Sequence, residues 1–271
     1  MDKNDAEFIG SIPEHYDRGL GPVIFAGYAA DIARRAAAAA PKRVLETAAG
    51  TGIVTRQLRD ALPADARLTA TDLNPPMLAI ARAKFQPGED VAFQPADATA
   101  LPFADASFEV VVCQFGVMFY PDKDKSYRDA HRVLAPGGRY IFSVWDTHGH
   151  NPFGRIGWDV TRSYFPVDPP QFYNVPFSYA AIDPIKASLQ AAGFGAIEVS
   201  VVPLVTTIAD SAAFARGLVL GNPVSEQIKT RGGVDLETVV DRIRTDLRRE
   251  CGPDPARMAI QAIVFSAEKP S

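Results

Sequence analysis

Cysteine is almost absent from this chain. Cys113 and Cys251, the only two in 271 residues, stand far apart and in no metal-ligand spacing. A disulfide scaffold and a structural zinc site are therefore not supported, and no metal is expected. There is no excess of positive charge: 28 Lys and Arg stand against 32 Asp and Glu, a net charge of -4. The densest basic set, Arg242, Arg244, Arg248 and Arg249, is interleaved with Asp241, Asp246 and Glu250. That mixture suits a solvated helix face better than a phosphate-binding stripe, which argues against nucleic acid as a partner. No apolar run approaches the length of a bilayer span. Met1-Asp2-Lys3-Asn4-Asp5 lacks the basic-then-apolar opening of a signal peptide, so a soluble cytoplasmic protein is expected.

What is present is an ordinary globular composition, 47% hydrophobic, long enough for one large domain or a core with a cap. The organising stretch is Val44-Leu45-Glu46-Thr47-Ala48-Ala49-Gly50-Thr51-Gly52, a buried strand running into a turn of small residues and then a helix. Only residues with little side chain let a ligand lie against the backbone at such a turn. From Arg43 to Asp146 strands and helices alternate, which implies a parallel sheet covered on both faces. Strands are expected at 44–47, 67–72, 91–94, 108–115 and 139–145, with helices at 54–62, 76–85 and 123–134 between them.

Before this core, 1–10 is polar and read as loose. Residues 12–35 suit helices interrupted at Gly21-Pro22, and Ala36 to Ala40 favours helix on propensity alone. After the core, 147–182 breaks the rhythm with eight aromatic residues among prolines and glycines. Asp183-Pro184 caps a short helix ending at Gly193, 197–202 and 258–267 read as a sixth and a seventh strand, and a polar helical insert that includes 236–249 separates them.

Two cofactors compete for the turn. A nicotinamide dinucleotide site wants G-x-G-x-x-G, but the corresponding positions are Ala48, Gly50 and Ile53. S-adenosylmethionine (SAM) carries no phosphate and does not need the opening that Ile53 crowds. Asp72, twenty residues after Gly52, can accept hydrogen bonds from ribose hydroxyls in either case. Asp97-Ala98, after the third strand, offers an acceptor for an adenine amino group.

VLETAAGTG (44–52), ATDLNPPML (70–78), ADATALPF (96–103), FEVVVCQFGVMF (108–119) and HRVLAPGGRYIFS (131–143) together resemble the class I SAM-dependent methyltransferases, of the type that includes the ubiquinone and menaquinone enzymes. The resemblance covers about Val44 to Ser143; 1–40 and 147–256 match only as variable caps. It implies an α/β fold, a Rossmann-like seven-stranded mostly parallel sheet with helices on both faces and helical and aromatic cap segments. A single domain over 1–271 is expected, with an N-terminal helical cap (1–40), a cofactor core (41–146) and substrate-side inserts (147–182 and 203–256).

The resemblance further implies that Glu46, Ala48, Gly50 and Gly52 line the methionine end of SAM. Asp72 would hold the ribose, Leu73 and Met77 would pack on the adenine, and Asp97 and Ala98 would meet its edge. Gln114 and Phe115 would sit beside the sulfonium, and Tyr16 would close over the carboxylate. Blander roles stay open: Asp72 as a helix cap, Asp97 as turn chemistry, and Met77 and Phe115 as core. Cys113 has no adjacent cation to activate it and reads as a buried thiol. His148 and His150 follow the fifth strand as base candidates, against metal ligands or inert loop residues. The expected activity is in-line methyl transfer to a small apolar or aromatic acceptor, the alternative being a SAM-binding regulatory protein without turnover.

Overall fold

The alternation of apolar strands and amphipathic helices closes into one seven-stranded sheet in the computed structural model, which describes residues 6–271. Residues 1–5 of the expected N-terminal cap, including the segment read for a signal peptide, lie outside the described residues. The strands are β1 (Arg43–Glu46), β2 (Arg67–Asp72), β3 (Val91–Pro95), β4 (Phe108–Gln114), β5 (Leu134–Trp145), β6 (Gly195–Ile208) and β7 (Ala256–Glu268). Their order is β3-β2-β1-β4-β5-β7-β6. The first five pair in parallel, and β7 runs antiparallel to both its neighbours. Strand order reverses between β2-β1 and β1-β4, so the crevice outside the carboxyl ends of these strands is where such a sheet binds ligands. The expected fold is the one found.

Each face of the sheet carries its own core. On one, the alanines of α2 (Ala26–Ala37) let it lie close to α3 (Ile53–Ala61), and Ala29, Ile32, Ala33, Val54 and Leu58 pack with Val44 and Val112. The other face packs aromatic residues, Tyr127, Tyr140, Phe142 and Phe265 among them, under α5 (Lys123–Val133) and the cap. The side chain of Asp122 caps α5 by accepting the Lys125 N–H.

Three expectations needed correction. The N-terminal helix is not interrupted at Gly21-Pro22: α1 (Ile12–His15) passes through a π-helical stretch, Tyr16–Phe25, straight into α2. There the Ala26 N–H reaches the Gly21 carbonyl five residues back, and the wider turn absorbs a proline that has no N–H to give. Next, β6 runs on to Ile208, so 203–208 belongs to the sheet rather than to the insert. Pro203 lies within the strand because β6 is at the sheet edge, where a missing N–H is tolerated. Finally, Asp183 lies inside the first turn of the helix Ile182–Ala191 (α7), which Ala181 precedes without a side-chain cap.

The cap is built from α6 (Pro152–Tyr164), α8 (Ser211–Leu220), α9 (Val224–Arg231) and α10 (Leu236–Cys251). No helix of the described residues is long and apolar enough to cross a membrane.

Candidate active site

The turn after β1 takes three left-handed residues in five, Ala48 (φ 52°), Gly50 (φ 57°) and Gly52 (φ 80°). Ala48 is the non-glycine among them and carries the strain that glycine would not. Asp72, at the end of β2, pins this turn down. Its Oδ2 accepts the Gly50 N–H at 2.8 Å, and its Oδ1 accepts the Asn74 N–H at 2.8 Å. A carboxylate has about four acceptor positions; the Asn74 side chain takes a second one on Oδ1, and Oδ2 keeps a lone pair for a ligand. Burial raises the Asp72 pKa, and the bonds from Asn74 and Gly50 oppose the rise.

Asp72 borders a cavity of about 250 Å³ at the carboxyl edge of the sheet. Ala48 and Gly50 enter its wall from the turn, Leu73 and Met77 from the segment after β2, and Asp97 and Ala98 from the loop after β3. Gln114, Phe115 and Tyr16 complete the side facing the cap. Ten of the twelve residues expected at the cofactor are thus brought together. Asp97 serves the turn as well, since its Oδ1 accepts the Thr99 N–H.

The other two are placed differently. Gly52 is not in the wall; a Cβ there would come within 2.8 Å of the Ala81 side chain, so its smallness serves the packing of α3 against α4 (Pro75–Arg82). Glu46 lies beneath the wall, 1% exposed, and its Oε2 has no partner among the described residues. Burial pushes its carboxyl up to about 8; the Thr55 hydroxyl partly opposes this and Asp72 adds to it.

Residues that the sequence did not single out close the site. Ala6 and Phe8 cross the mouth of the cavity as a strap, held because the Asn74 side chain accepts the Phe8 N–H and donates to the Ala6 carbonyl. Asn74 also donates to Asp72, so one amide fastens both strap and acid. Tyr120 lines the cavity too, its hydroxyl 3.2 Å from Thr47 Oγ1 and from Cys113 Sγ. The thiol is buried and its pKa is raised by that burial, as suits a structural cysteine.

Phe115 lies just past β4 rather than in it, with φ at 55°, a costly conformation for a bulky residue. Its N–H bonds to the Ser143 carbonyl, and its ring stacks on Trp145 at 3.8 Å between centroids. That pose makes it a partition. Phe8, Tyr16, Phe115 and Phe119 border both the first cavity and a second, aromatic chamber of about 60 Å³ behind it. Phe153, Phe172, Phe177 and Asn222 line the far side of that chamber.

Neither His148 nor His150 reaches either wall, which corrects the expectation of a base there. His148 Nε2 is 3.0 Å from the Tyr173 carbonyl, its ring lies against Phe177, and burial lowers its pKa. His150 is exposed on a short turn. A general base typically contributes 10²- to 10⁴-fold. His148→Gln and His150→Ala are expected to keep turnover within about threefold of the parent, and a loss on the scale of a general base would return them to the mechanism. Among the described residues no group of three or more metal-ligating side chains occurs.

A sulfonium nucleoside fits these residues better than a dinucleotide. The start of α3, where a pyrophosphate would rest, is covered by the π-helical stretch: a Cβ on Gly21 would lie 3.0 Å from the Ile53 side chain. Gln114 Oε1, like Glu46 Oε2, is a buried acceptor lacking a donor, and the α-ammonium of SAM is a donor. Leu73 is 59% exposed at the rim, an apolar surface that an adenine would cover.

The sheet order and an acid closing β2 define a nucleoside-cofactor enzyme fold of the doubly wound class. The family described as "Methyltransferase domain" matches residues 44–138. The demethylmenaquinone methyltransferase of Thermus thermophilus is 42% identical over 127 residues, 46% of this chain and 56% of that protein. The demethylmenaquinone methyltransferase of Deinococcus radiodurans is 34% identical over 171 residues, 61% of this chain and 69% of that protein. Among solved structures, Haemonchus contortus phosphoethanolamine N-methyltransferase 2 in complex with SAM shares the fold at a TM-score of 0.60 and 19% identity, over 96% of this chain and 57% of that one. This chain belongs to the class I SAM-dependent methyltransferases, and SAM is its cofactor.

Proposed function

We propose that this chain transfers a methyl group by in-line displacement to a small, flat, apolar or aromatic acceptor held in the aromatic chamber. The observation that carries the reading is the shared wall: the cavity bordered by Asp72 and the chamber meet across Phe8, Tyr16, Phe115 and Phe119. When bound, SAM supplies a methyl carbon already attached to a good leaving group. The chain's part is then to orient and to exclude water, and orientation can contribute about 7 to 11 kcal/mol in favourable cases. Phe115, locked by Trp145 and Ser143, gives the partition the rigidity such alignment needs.

The chamber supports an acceptor that brings its own reactivity. Its ionisable lining groups among the described residues are Tyr16 and Tyr173, whose pKa values burial raises. Neither hydroxyl gives up its proton easily, so neither serves as a base. A phenol acidic enough to ionise in solution needs none, and a hydroquinone gives up its hydroxyl proton to water. The relatives named for demethylmenaquinone support the same class of acceptor.

The test is formation of S-adenosylhomocysteine from SAM by the full chain, with quinols, phenols and fatty acids as candidate acceptors. Turnover is expected with quinols or phenols. Tight SAM binding with no product from any acceptor would favour a binding protein instead.

A further inference from the structure

We propose that Asn222 selects the acceptor: its side-chain oxygen offers the chamber a fixed hydrogen-bond acceptor, so the chamber takes flat apolar molecules that carry a hydroxyl or N–H donor and refuses those that do not. The inference rests on the chamber being the acceptor site, as read above. Asn222 follows α8, is 6% exposed and lies in the chamber wall. Its Nδ2 donates to the Leu218 carbonyl at 2.9 Å and, more weakly, to the Gly217 carbonyl at 3.5 Å. Turning the amide over would set its oxygen against two carbonyl oxygens, so these bonds settle its orientation. The nitrogen is committed, and Oδ1 is the atom left to offer.

The neighbouring hydroxyl points to the same chemistry. Tyr173 spends its proton on the Leu218 carbonyl at 2.7 Å, which leaves it, too, with lone pairs and no donor for the chamber. Among the described residues nothing donates to Asn222 Oδ1. A ligand hydroxyl entering the chamber satisfies a buried acceptor; a methyl group in its place leaves that acceptor dry and unpaired, and a ring carbonyl sets oxygen against oxygen. Sites built to hydrogen-bond a hydroxyl reject the analogue lacking it far more strongly than apolar pockets reject a methylene. The rest of the wall is largely hydrocarbon, so this one oxygen has few polar competitors.

The position can be changed without baring the carbonyls it serves. The Leu218 carbonyl keeps the Tyr173 hydroxyl, and the Gly217 carbonyl keeps the Gly221 N–H. p-Cresol and p-xylene have nearly the same shape and differ by a hydroxyl against a methyl, which makes them suitable probes. By titration calorimetry on the full chain saturated with S-adenosylhomocysteine, the parent protein should bind p-cresol at least about tenfold tighter than p-xylene. Folded Asn222→Leu should lose that preference.

Equal affinities in the parent protein, or an undiminished preference in folded Asn222→Leu, would overturn the role of Asn222 and leave the chamber as acceptor site intact. If neither ring binds the parent, the chamber reading itself fails. The parent comparison needs no variant, so a misfolded Asn222→Leu does not remove the test.

Discussion

Asp72→Ala is expected to weaken SAM binding by about 70- to 1,000-fold in calorimetry, because two losses fall together. One is the acceptor for the ribose hydroxyls, a charged hydrogen-bond partner of the kind worth about 1.5 to 3 kcal/mol. The other is internal: the Gly50 N–H loses the carboxylate at 2.8 Å that holds the turn, and an unpaired donor there costs about 1 kcal/mol or more. Asn74 loses its partner as well, and with it the strap at Ala6 and Phe8 loosens. Asp72→Asn keeps one acceptor oxygen and should recover part of the affinity. An Asp72→Ala protein that binds SAM like the parent would remove this residue from the cofactor site.

The second large effect is a pH dependence of cofactor affinity set by Glu46. Without cofactor this carboxyl titrates at about 8, because burial disfavours its charged form. SAM brings a sulfonium and an ammonium, and positive charge nearby favours the carboxylate, so the bound pKa is lower than the free one. Below about 8, binding must therefore release a proton, and affinity rises with pH until it levels off above that value. The protein alone shows the opposite sign. A carboxyl raised in the folded state stabilises the fold at low pH, and that contribution is lost as pH climbs from the ordinary glutamate range towards about 8. Calorimetry at pH 7 in buffers of different ionisation enthalpy reads the proton directly, and Glu46→Gln should abolish its release. Affinity flat between pH 6 and 9 would show that Glu46 is already ionised or far from the positive charge.

The core of the fold was open to reading because its signals are local. Short apolar strands between turns, and an acid closing β2, need no tertiary context. The cap resisted for a physical reason. Helix α6 contains Gly154 and Gly157, which lower helix propensity, yet the rings of Phe177 and Tyr173 press so close that a Cβ at either glycine would fall within 2.4 Å of them. The feature that hid the helix is the one that shapes the chamber beside it. Similarly, Ala6 and Phe8 looked loose because their fastening at Asn74 lies 66 or more residues away.

The site divides along the same line. Ala48, Gly50, Asp72, Met77 and Asp97 stand in motifs whose spacing places them. Asn222 and Tyr120 carry no motif and gain meaning only when the chain folds around the two cavities. His148 and His150 follow the ligand edge in sequence, but His148 packs against Phe177 without reaching the chamber and His150 is exposed, so nearness in the chain did not become nearness in space.

A crystal structure of the chain with S-adenosylhomocysteine shows outright where the cofactor sits. The adenosine is expected in the cavity of about 250 Å³, its ribose hydroxyls on Asp72 and its adenine against Leu73 and Met77. A cavity that stays empty at saturating ligand, or a nucleoside bound away from Asp72, would contradict that placement.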